Sequence, residues 1–266
     1  MDNDLDRILP LQTGGAKPPL YCVHAVSGSA YAYAGLARLL GADQPVYGFE
    51  APGFDNDRIP VPSLSALAAE YTATLREFQP EAAYQLLGWS LGGVVIFEMA
   101  KRLVAAGAKV SSLILVDAGL PEVMDLPPEG DILRRYIRDM MGMSDQSPPG
   151  LEAIFNYWPE EVEPTVVFEA VEEAGILPEE IDADLLANQY AVFRAHLTAF
   201  YSVEVTGTYT GPAVHILAAE SPAEDMRWDR VAPDLKEHTV PGTHHSIWTG
   251  DSLVTMSEIV RQSLSS

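Results

Sequence analysis

The chain has 266 residues, of which 47% are apolar and 20% are charged, so it is long enough for one large globular domain with a sizeable core. Its net charge of −22 argues against nucleic acid and anionic membrane surfaces as partners, because like charges repel. The single cysteine, Cys22, excludes an internal disulfide. The sequence also has no apolar segment typical of a signal peptide or a membrane span. Together these two observations predict a cytoplasmic protein.

The first half of the chain alternates short apolar runs with amphipathic stretches. The runs predict strands at residues 20–23, 46–49, 84–89 and 113–116. The amphipathic stretches predict helices at residues 31–40, about 63–79 and 92–106. Strands separated by helices of this length indicate an α/β protein with a mostly parallel central sheet flanked by helices.

The pattern changes after the fourth predicted strand. Residues about 119–205 contain proline-rich joints and three amphipathic segments, which predict helices starting at Asp131, at about 164–174 and at about 184–201. Strands at 213–217 and 239–240 and a helix at about 252–263 then complete the pattern. We therefore predict a single domain, with a core at about 16–118 and 206–266 and a helical insertion at about 119–205.

The insertion has two interpretations. If it covers the carboxyl ends of the strands, where α/β proteins bind ligands, it is a lid over the active site. The first inserted helix then places Ile137, Met140 and Met141 along a substrate channel, where methionine adapts to varied apolar shapes. The alternative is that these residues only pack the helices against the core.

A Gly-x-Ser-x-Gly motif lies at Gly88-Trp89-Ser90-Leu91-Gly92, between a predicted strand and a predicted helix. A serine at such a tight turn projects its hydroxyl out of the sheet, and the two glycines let the strand and the helix approach closely. The helix amino terminus adds partial positive charge near a developing oxyanion. We predict that Ser90 is the nucleophile of a serine hydrolase; the alternative is a glycine-rich turn with an idle serine.

A serine needs a base, and in folds with this motif the acid and then the histidine follow the serine along the chain. The loop after the last predicted strand contains His244 and His245. Either could serve, and we favour His244. The remaining histidines, which we expect to be structural or exposed, are His24, His196, His215 and His238.

The acid has two candidate positions. Asp117 closes the apolar strand that follows the helix of the serine motif, so it should lie at the active edge of the sheet beside Ser90. The alternative acid would follow the next strand, where Glu220 and Asp225 are available. The backbone N–H groups of Val26, in the loop after the first predicted strand, and of Leu91 are the candidate oxyanion donors.

Five segments together carry a more specific pattern than the serine motif alone. They are LPLQTGG at 9–15, PPLYCVH at 18–24, VYGFEAPG at 46–53, GWSLGG at 88–93 and GTH at 242–244. Across essentially the whole chain apart from the insertion, the sequence resembles the thioesterase domain that ends nonribosomal peptide synthetases and polyketide synthases. The resemblance implies an α/β-hydrolase fold with a helical lid.

The resemblance also implies roles for individual residues. Asp117 and His244 fall on the family's acid and base, and Val26 and Leu91 fall on its oxyanion donors. Two positions depart from the family pattern: Ala25 stands where a proline is usual, and His245 stands where an aromatic residue often follows the base. Neither departure removes a catalytic group.

The implied reaction is release of an acyl, peptidyl or polyketide chain from the phosphopantetheine arm of a carrier protein. It would proceed through an acyl-serine ester and end in hydrolysis or macrocyclisation. The implied partner is an acyl or peptidyl carrier protein, and neither a bound cofactor nor a metal is expected. Alternatives are a freestanding editing thioesterase, a carboxylesterase and an inactive binding module.

The net charge of the chain bears on how a carrier protein could dock. Carrier proteins of the family are usually acidic, so a chain at −22 should not attract them at long range. The one compact basic cluster in the sequence is Arg134, Arg135 and Arg138. It either holds the phosphate of the arm or a carrier carboxylate, or it forms a solvated helix face paired locally with Asp131 and Asp139.

Overall fold

The computed structural model describes residues 8–80, 83–140, 159–173, 175, 181–222 and 226–265. The strands are β1 (Ile8–Gln12), β2 (Leu20–Val23), β3 (Val46–Phe49), β4 (Ala83–Trp89), β5 (Lys109–Val116), β6 (Ala213–Ala218) and β7 (Lys236–Val240). The α-helices are α1 (Ala34–Leu40), α2 (Leu64–Phe78), α3 (Leu91–Ala105), α4 (Glu129–Met140), α5 (Pro164–Glu173), α6 (Ala183–Tyr201) and α7 (Gly250–Leu264).

The strands form one sheet in the order β1-β3-β2-β4-β5-β6-β7. Every neighbouring pair is parallel except β1 and β3, which are antiparallel. This confirms the predicted α/β fold class with a mostly parallel central sheet. The edge strand β1 was not among the predicted strands.

Helices cover both faces of the sheet, and the alternation of side chains along β4 divides the core between them. Leu86 belongs to an apolar cluster with residues of α2 and α3, whereas its neighbour Leu87 belongs to a second cluster with residues of α1 and α7. Both side chains are fully buried. Successive residues of a strand point to opposite faces, so one strand contributes to both halves of the core.

Helices α4, α5 and α6 lie in the segment between β5 and β6 and share an apolar cluster of their own. Helix α4 begins at Glu129 rather than at a cap on Asp131, because the carbonyl of Pro128 already accepts hydrogen bonds from the N–H groups of Asp131 and Ile132. Helix α6 also reaches the core, since Ala199 packs in the cluster of α2 and α3. The inserted helices are therefore anchored on the core through α6.

Within the part of the chain that the structure describes, no helix is long and apolar enough to cross a membrane.

Candidate active site

The serine motif forms the junction of β4 and α3. Ser90 is the single residue between them, and its φ of 55° and ψ of −125° are unusual for a residue with a side chain. The Ser90 N–H donates to the carbonyl of Val116 at 3.0 Å, which fixes the turn against β5. Backbone strain of this kind persists only where the surrounding structure holds it, and it is common at active sites.

Two glycines make this turn possible. A Cβ on Gly88 would lie 2.2 Å from the carbonyl oxygen of Gly92, and a Cβ on Gly92 would lie 2.3 Å from the carbonyl oxygen of Val23. Both distances are far below van der Waals contact. Only glycine at these positions allows strand and helix to meet so closely around Ser90.

Asp117 follows β5 directly and is 1% exposed. Its Oδ1 accepts the N–H of Ala218 at 2.8 Å, and its Oδ2 accepts the hydroxyl of Ser221 at 2.7 Å and Nδ1 of His244 at 2.6 Å. Burial by itself would raise the pKa of this carboxyl, but the hydrogen bonds from His244, Ser221 and Ala218 outweigh burial and lower it. Asp117 is therefore held as a carboxylate in a fixed orientation.

His244 lies in the loop that joins β7 to the last helix, and its side chain is 35% exposed. Because an ionised carboxylate can only accept hydrogen bonds, the contact with Asp117 assigns the ring proton to Nδ1. In the neutral form of the ring, Nε2 then keeps its lone pair. A neutral imidazole in this tautomer is the form that a general base requires.

The other candidate residues lie elsewhere. His245 has its Nε2 3.9 Å from Oδ1 of Asp139 and contacts the edge of the Trp89 ring, so it takes no part in the bond to Asp117. Glu220 is exposed, and Asp225 lies outside the described residues. His24, His196 and His215 are fully buried, whereas His238 is exposed.

A cavity of about 690 Å³ opens at this edge of the sheet, and Ser90, Asp117 and His244 all line it. Its remaining wall comes from both ends of the inserted segment, including Leu120 and Tyr201, and from the loop after β6. The four loops that carry Ser90, Asp117, Ser221 and His244 follow β4, β5, β6 and β7. Parallel strands bring their carboxyl ends to one edge, which is where the sequence placed the site.

The two candidate oxyanion donors occupy positions with different local geometry. Leu91 is the first residue of α3, so its N–H belongs to the group of amide donors that a helix leaves without an internal partner. Val26 lies in the turn after β2, which is closed by a hydrogen bond of 3.1 Å from the Gly28 N–H to the Ala25 carbonyl.

A family model described as the thioesterase domain matches residues 18–263 of the chain. The chain belongs to the thioesterase family. Over 114 residues the chain is 46% identical to a dimodular nonribosomal peptide synthase of Bacillus subtilis (strain 168), an alignment that covers 43% of this chain and 5% of that protein. Over 117 residues it is 38% identical to malpibaldin synthetase of Mortierella alpina, with 44% of this chain and 2% of that protein covered. The chain thus spans a small fraction of the curated relatives it matches.

Solved structures agree with this assignment of the thioesterase. A four-domain nonribosomal peptide synthetase in its holo form matches 96% of this chain and 20% of its own, with a TM-score of 0.80 and 22% identity. The NocB thioesterase domain matches 98% of this chain and all of its own, with a TM-score of 0.63 and 26% identity. Together with the sheet topology, these likenesses identify the α/β-hydrolase fold. The resemblance inferred from the sequence motifs is confirmed.

Two of the three predicted channel residues, Ile137 and Met140, lie among the described residues, and they have different surroundings. Ile137 is fully buried in the apolar cluster of the inserted helices. Met140 lines a second cavity, of about 370 Å³, whose wall also includes Trp89, His245 and Asp139. Met141 lies outside the described residues.

Two arginines of the basic cluster on α4 contact other side chains, one within the same helix and one on α6. Arg134 forms an ion pair of 2.6 Å with Asp131, three residues earlier, and Arg135 donates to the hydroxyl of Tyr201. Two other arginines, Arg227 and Arg230, line the cavity that contains Ser90. The sequence did not single these two out, because their proximity to the cavity depends on how the loop after β6 folds.

The predicted site residues did not include Ser221, and they did not include Asp139, which was expected only as an ion-pair partner of the arginine cluster. Ser221 donates to the same carboxylate oxygen as His244, and its position after β6 was a signal that could have found it. Asp139 is largely buried, which raises its pKa to about 6, although nearby His244 opposes the shift. Its proximity to both histidines of the loop arises only from the packing of α4 over the sheet edge.

The raised pKa of Asp139 predicts a pH-dependent stability difference. Folding raises this pKa from 3.8 to about 6, so the ionised form destabilises the folded state above that pH. We expect Asp139→Asn to raise the free energy of unfolding by about 1–2 kcal/mol at pH 7.5. The gain should shrink as the pH falls through the window from about 6 to 3.8. Thermal melts across this range measure it, with the exposed Asp234→Asn as control; a gain that grows toward acid pH would contradict the expectation.

Proposed function

We propose that the chain is a chain-releasing thioesterase domain that takes an acyl or peptidyl group from the phosphopantetheine arm of a carrier protein through an acyl-Ser90 ester. One observation carries the proposal. The hydrogen bond of 2.6 Å between His244 and the buried carboxylate of Asp117 stands in the same cavity as Ser90, which sits on a strained turn. This arrangement has the parts of a nucleophile, a base and an orienting acid.

In the proposed first step, Ser90 Oγ attacks the thioester carbonyl while Nε2 of His244 takes the hydroxyl proton. The Oγ–carbon bond forms and the carbonyl becomes a tetrahedral oxyanion. The oxyanion then collapses, the carbon–sulfur bond breaks, and His244 gives its proton to the departing thiolate of the arm. Asp117 stays ionised throughout and stabilises the transient imidazolium.

The proposed oxyanion donors are the N–H groups of Val26 and Leu91. The Leu91 N–H is at the amino terminus of α3, where the helix dipole also favours negative charge. Donors of this kind act without reorganisation in a site that excludes water, so each contributes strongly to the rate.

In the proposed second step, water or an internal hydroxyl or amine of the bound chain attacks the acyl-Ser90 ester. His244 now takes the proton of that nucleophile and returns it to Ser90 Oγ, which regenerates the enzyme. We propose that the inserted helices form a lid over this site, with the lid at about 119–205 and the core on either side. Met140 and Ile137 as channel residues remain predictions within that proposal.

The proposed partner is a carrier protein, which brings the substrate on its own phosphopantetheine. The curated relatives are large synthetases, which supports a carrier domain of the same synthetase as that partner. The nucleophile, the base and the oxyanion donors of the proposed mechanism all come from this chain. Within the described residues no group of three or more metal-ligating side chains occurs.

A comparison of leaving groups tests this function against the carboxylesterase alternative. We expect acyl-pantetheine thioesters to be cleaved with a kcat/KM at least about tenfold above that of oxygen esters with the same acyl chain, equivalent to about 1.4 kcal/mol in the transition state. Ser90→Ala serves as the blank. Equal or faster cleavage of the oxygen esters would favour a carboxylesterase, and no turnover of either substrate would favour a binding module.

A further inference from the structure

Two buried histidines lie directly behind the turn that carries Val26. Nδ1 of His24 is 2.7 Å from the Ala25 carbonyl oxygen, and Nδ1 of His196 is 2.8 Å from the Val26 carbonyl oxygen. A carbonyl oxygen only accepts, so each ring carries its proton on Nδ1 and donates. Both side chains are 0% exposed, and burial lowers the pKa of His24 to about 3 and that of His196 to about 4. Both rings are therefore neutral near pH 7.

The bond from His24 determines where the Val26 N–H points. The Ala25 carbonyl and the Val26 N–H belong to one planar trans peptide, in which they point in opposite directions. The Ala25 oxygen is held by His24 and by the Gly28 N–H at 3.1 Å. Fixing the oxygen on that side fixes the N–H on the other. The bond from His196 to the Val26 carbonyl holds the next peptide plane, which carries the Ser27 N–H, so the planes on both sides of the Val26 Cα are fixed.

The two rings are held together and braced from the core. They stack with their centroids 4.8 Å apart and 14° between their planes. Nε2 of His24 accepts the hydroxyl of Tyr71, on α2, at 2.6 Å. Nε2 of His196 is buried and has no hydrogen-bond partner among the described residues. An unpartnered buried polar atom is costly, so an apolar side chain here would be expected unless the Nδ1 bond were needed.

The pair also joins the inserted helices to the core. His196 is on α6, whereas His24 and Val26 are on the loop after β2. Val26 itself packs against both the core cluster and the cluster of the inserted helices. Helix α6 makes a second contact with this loop, because a Cβ on Gly28 would lie 2.9 Å from Cγ1 of Val192. A shift of α6 would therefore release the loop.

We propose that His24 and His196 are positioning residues that hold the Val26 N–H in the orientation of an oxyanion donor, so that the oxyanion hole is complete only when α6 is seated on the core. This inference rests on the proposed function, in which Val26 is such a donor. If the inference holds, the chemical step requires the inserted helices to be in place. Helix α6 both lines the cavity of Ser90 and supplies the bond from His196.

The test compares His196→Leu, which keeps bulk and loses the donor, with His196→Asn, whose amide nitrogen occupies nearly the position of Nδ1. The substrate is a small acyl thioester, and the second probe is an acyl trifluoromethyl ketone, which forms a tetrahedral oxyanion on the serine. In His196→Leu we expect kcat to fall about 10- to 100-fold with KM changed less than about threefold, and the ketone to bind weaker by a similar factor. His196→Asn should recover most of both. Thermal melts of each variant are recorded alongside.

The outcomes separate this inference from the proposed function. Wild-type protein that neither turns over the thioester nor binds the ketone would contradict the proposed function itself. An active wild type with an unchanged kcat in His196→Leu, or with equal losses in the Leu and Asn variants, would overturn the inference alone. A fall in kcat without loss of ketone affinity would overturn it too.

A variant outside the inserted helices keeps the test possible if His196→Leu does not fold. Tyr71→Phe removes the hydroxyl that lies 2.6 Å from Nε2 of His24 and 3.4 Å from the Glu50 carbonyl oxygen. We expect kcat to fall about three- to tenfold, with a matching loss of ketone affinity, because the His24 ring loses one of its two hydrogen bonds. Unchanged values for both in Tyr71→Phe would overturn the inference.

Discussion

Replacing His244 by alanine is expected to lower kcat for acyl thioesters by about 10⁴- to 10⁶-fold, because it removes the proposed base of Ser90. His244 is bonded to the buried carboxylate of Asp117 and lines the cavity that contains Ser90. Without it the serine hydroxyl must lose its proton to water. The direct measurement is the acylation burst with an activated acyl thioester, which should disappear in His244→Ala.

The neighbouring histidine provides a matched control. His245 lines the second cavity, beside Asp139 and Trp89. His245→Ala should keep the burst within about tenfold of wild type, since adjacent loop residues direct their side chains differently and the Asp117 bond stays intact. A normal burst in His244→Ala, or loss of the burst only in His245→Ala, would show that the base is assigned to the wrong histidine.

Asp117→Asn should cost about 10⁴-fold in kcat. The asparagine amide would donate toward Nδ1 of His244, so the ring would carry its proton on Nε2 and could no longer accept the proton of Ser90. Because the pKa of Asp117 is lowered, the wild-type carboxylate is already ionised at mildly acid pH. The loss of kcat in Asp117→Asn should therefore be seen at mildly acid pH and persist through neutral pH. Steady-state kinetics from pH 5 to 8 would measure it.

Glu220→Gln is the control for the acid. Glu220 is exposed and follows β6, at the position where the competing acid was expected. Its replacement should leave kcat within about twofold, which is the range of a surface charge change. A large loss in Glu220→Gln together with a small loss in Asp117→Asn would reverse the assignment of the acid.

The parallel strands and the serine turn could be predicted from the sequence because each is marked by a pattern of neighbouring residues. The apolar runs of β2 to β5 and the Gly-x-Ser-x-Gly spacing around Ser90 each lie within a few residues, so the nature of the turn follows from neighbours in the chain. Asp117 and His244 could be predicted with one additional argument, since parallel strands bring their carboxyl ends to one edge of the sheet. Their mutual bond is the arrangement that this reasoning expects.

Features that depend on contacts between distant segments could not be predicted from the sequence in this way. β1 escaped prediction because Pro10 interrupts its strand pattern, and proline is tolerated there because β1 is an edge strand. The contacts of His24 with His196 and of Asp139 with His245 join elements far apart in the chain. Only the packing of α4 and α6 onto the core brings these residues together.

Intact-protein mass spectrometry of rapidly quenched reactions tests most directly whether the acyl chain passes through an ester on Ser90. After mixing with an acyl-pantetheine thioester, wild-type protein should gain the mass of the acyl group, and peptide mapping should place the group on Ser90. Ser90→Ala should gain nothing, and His244→Ala should accumulate the adduct at least about 10⁴-fold more slowly. Turnover by the wild type without any adduct, or an adduct that persists in Ser90→Ala, would contradict an acyl-Ser90 intermediate.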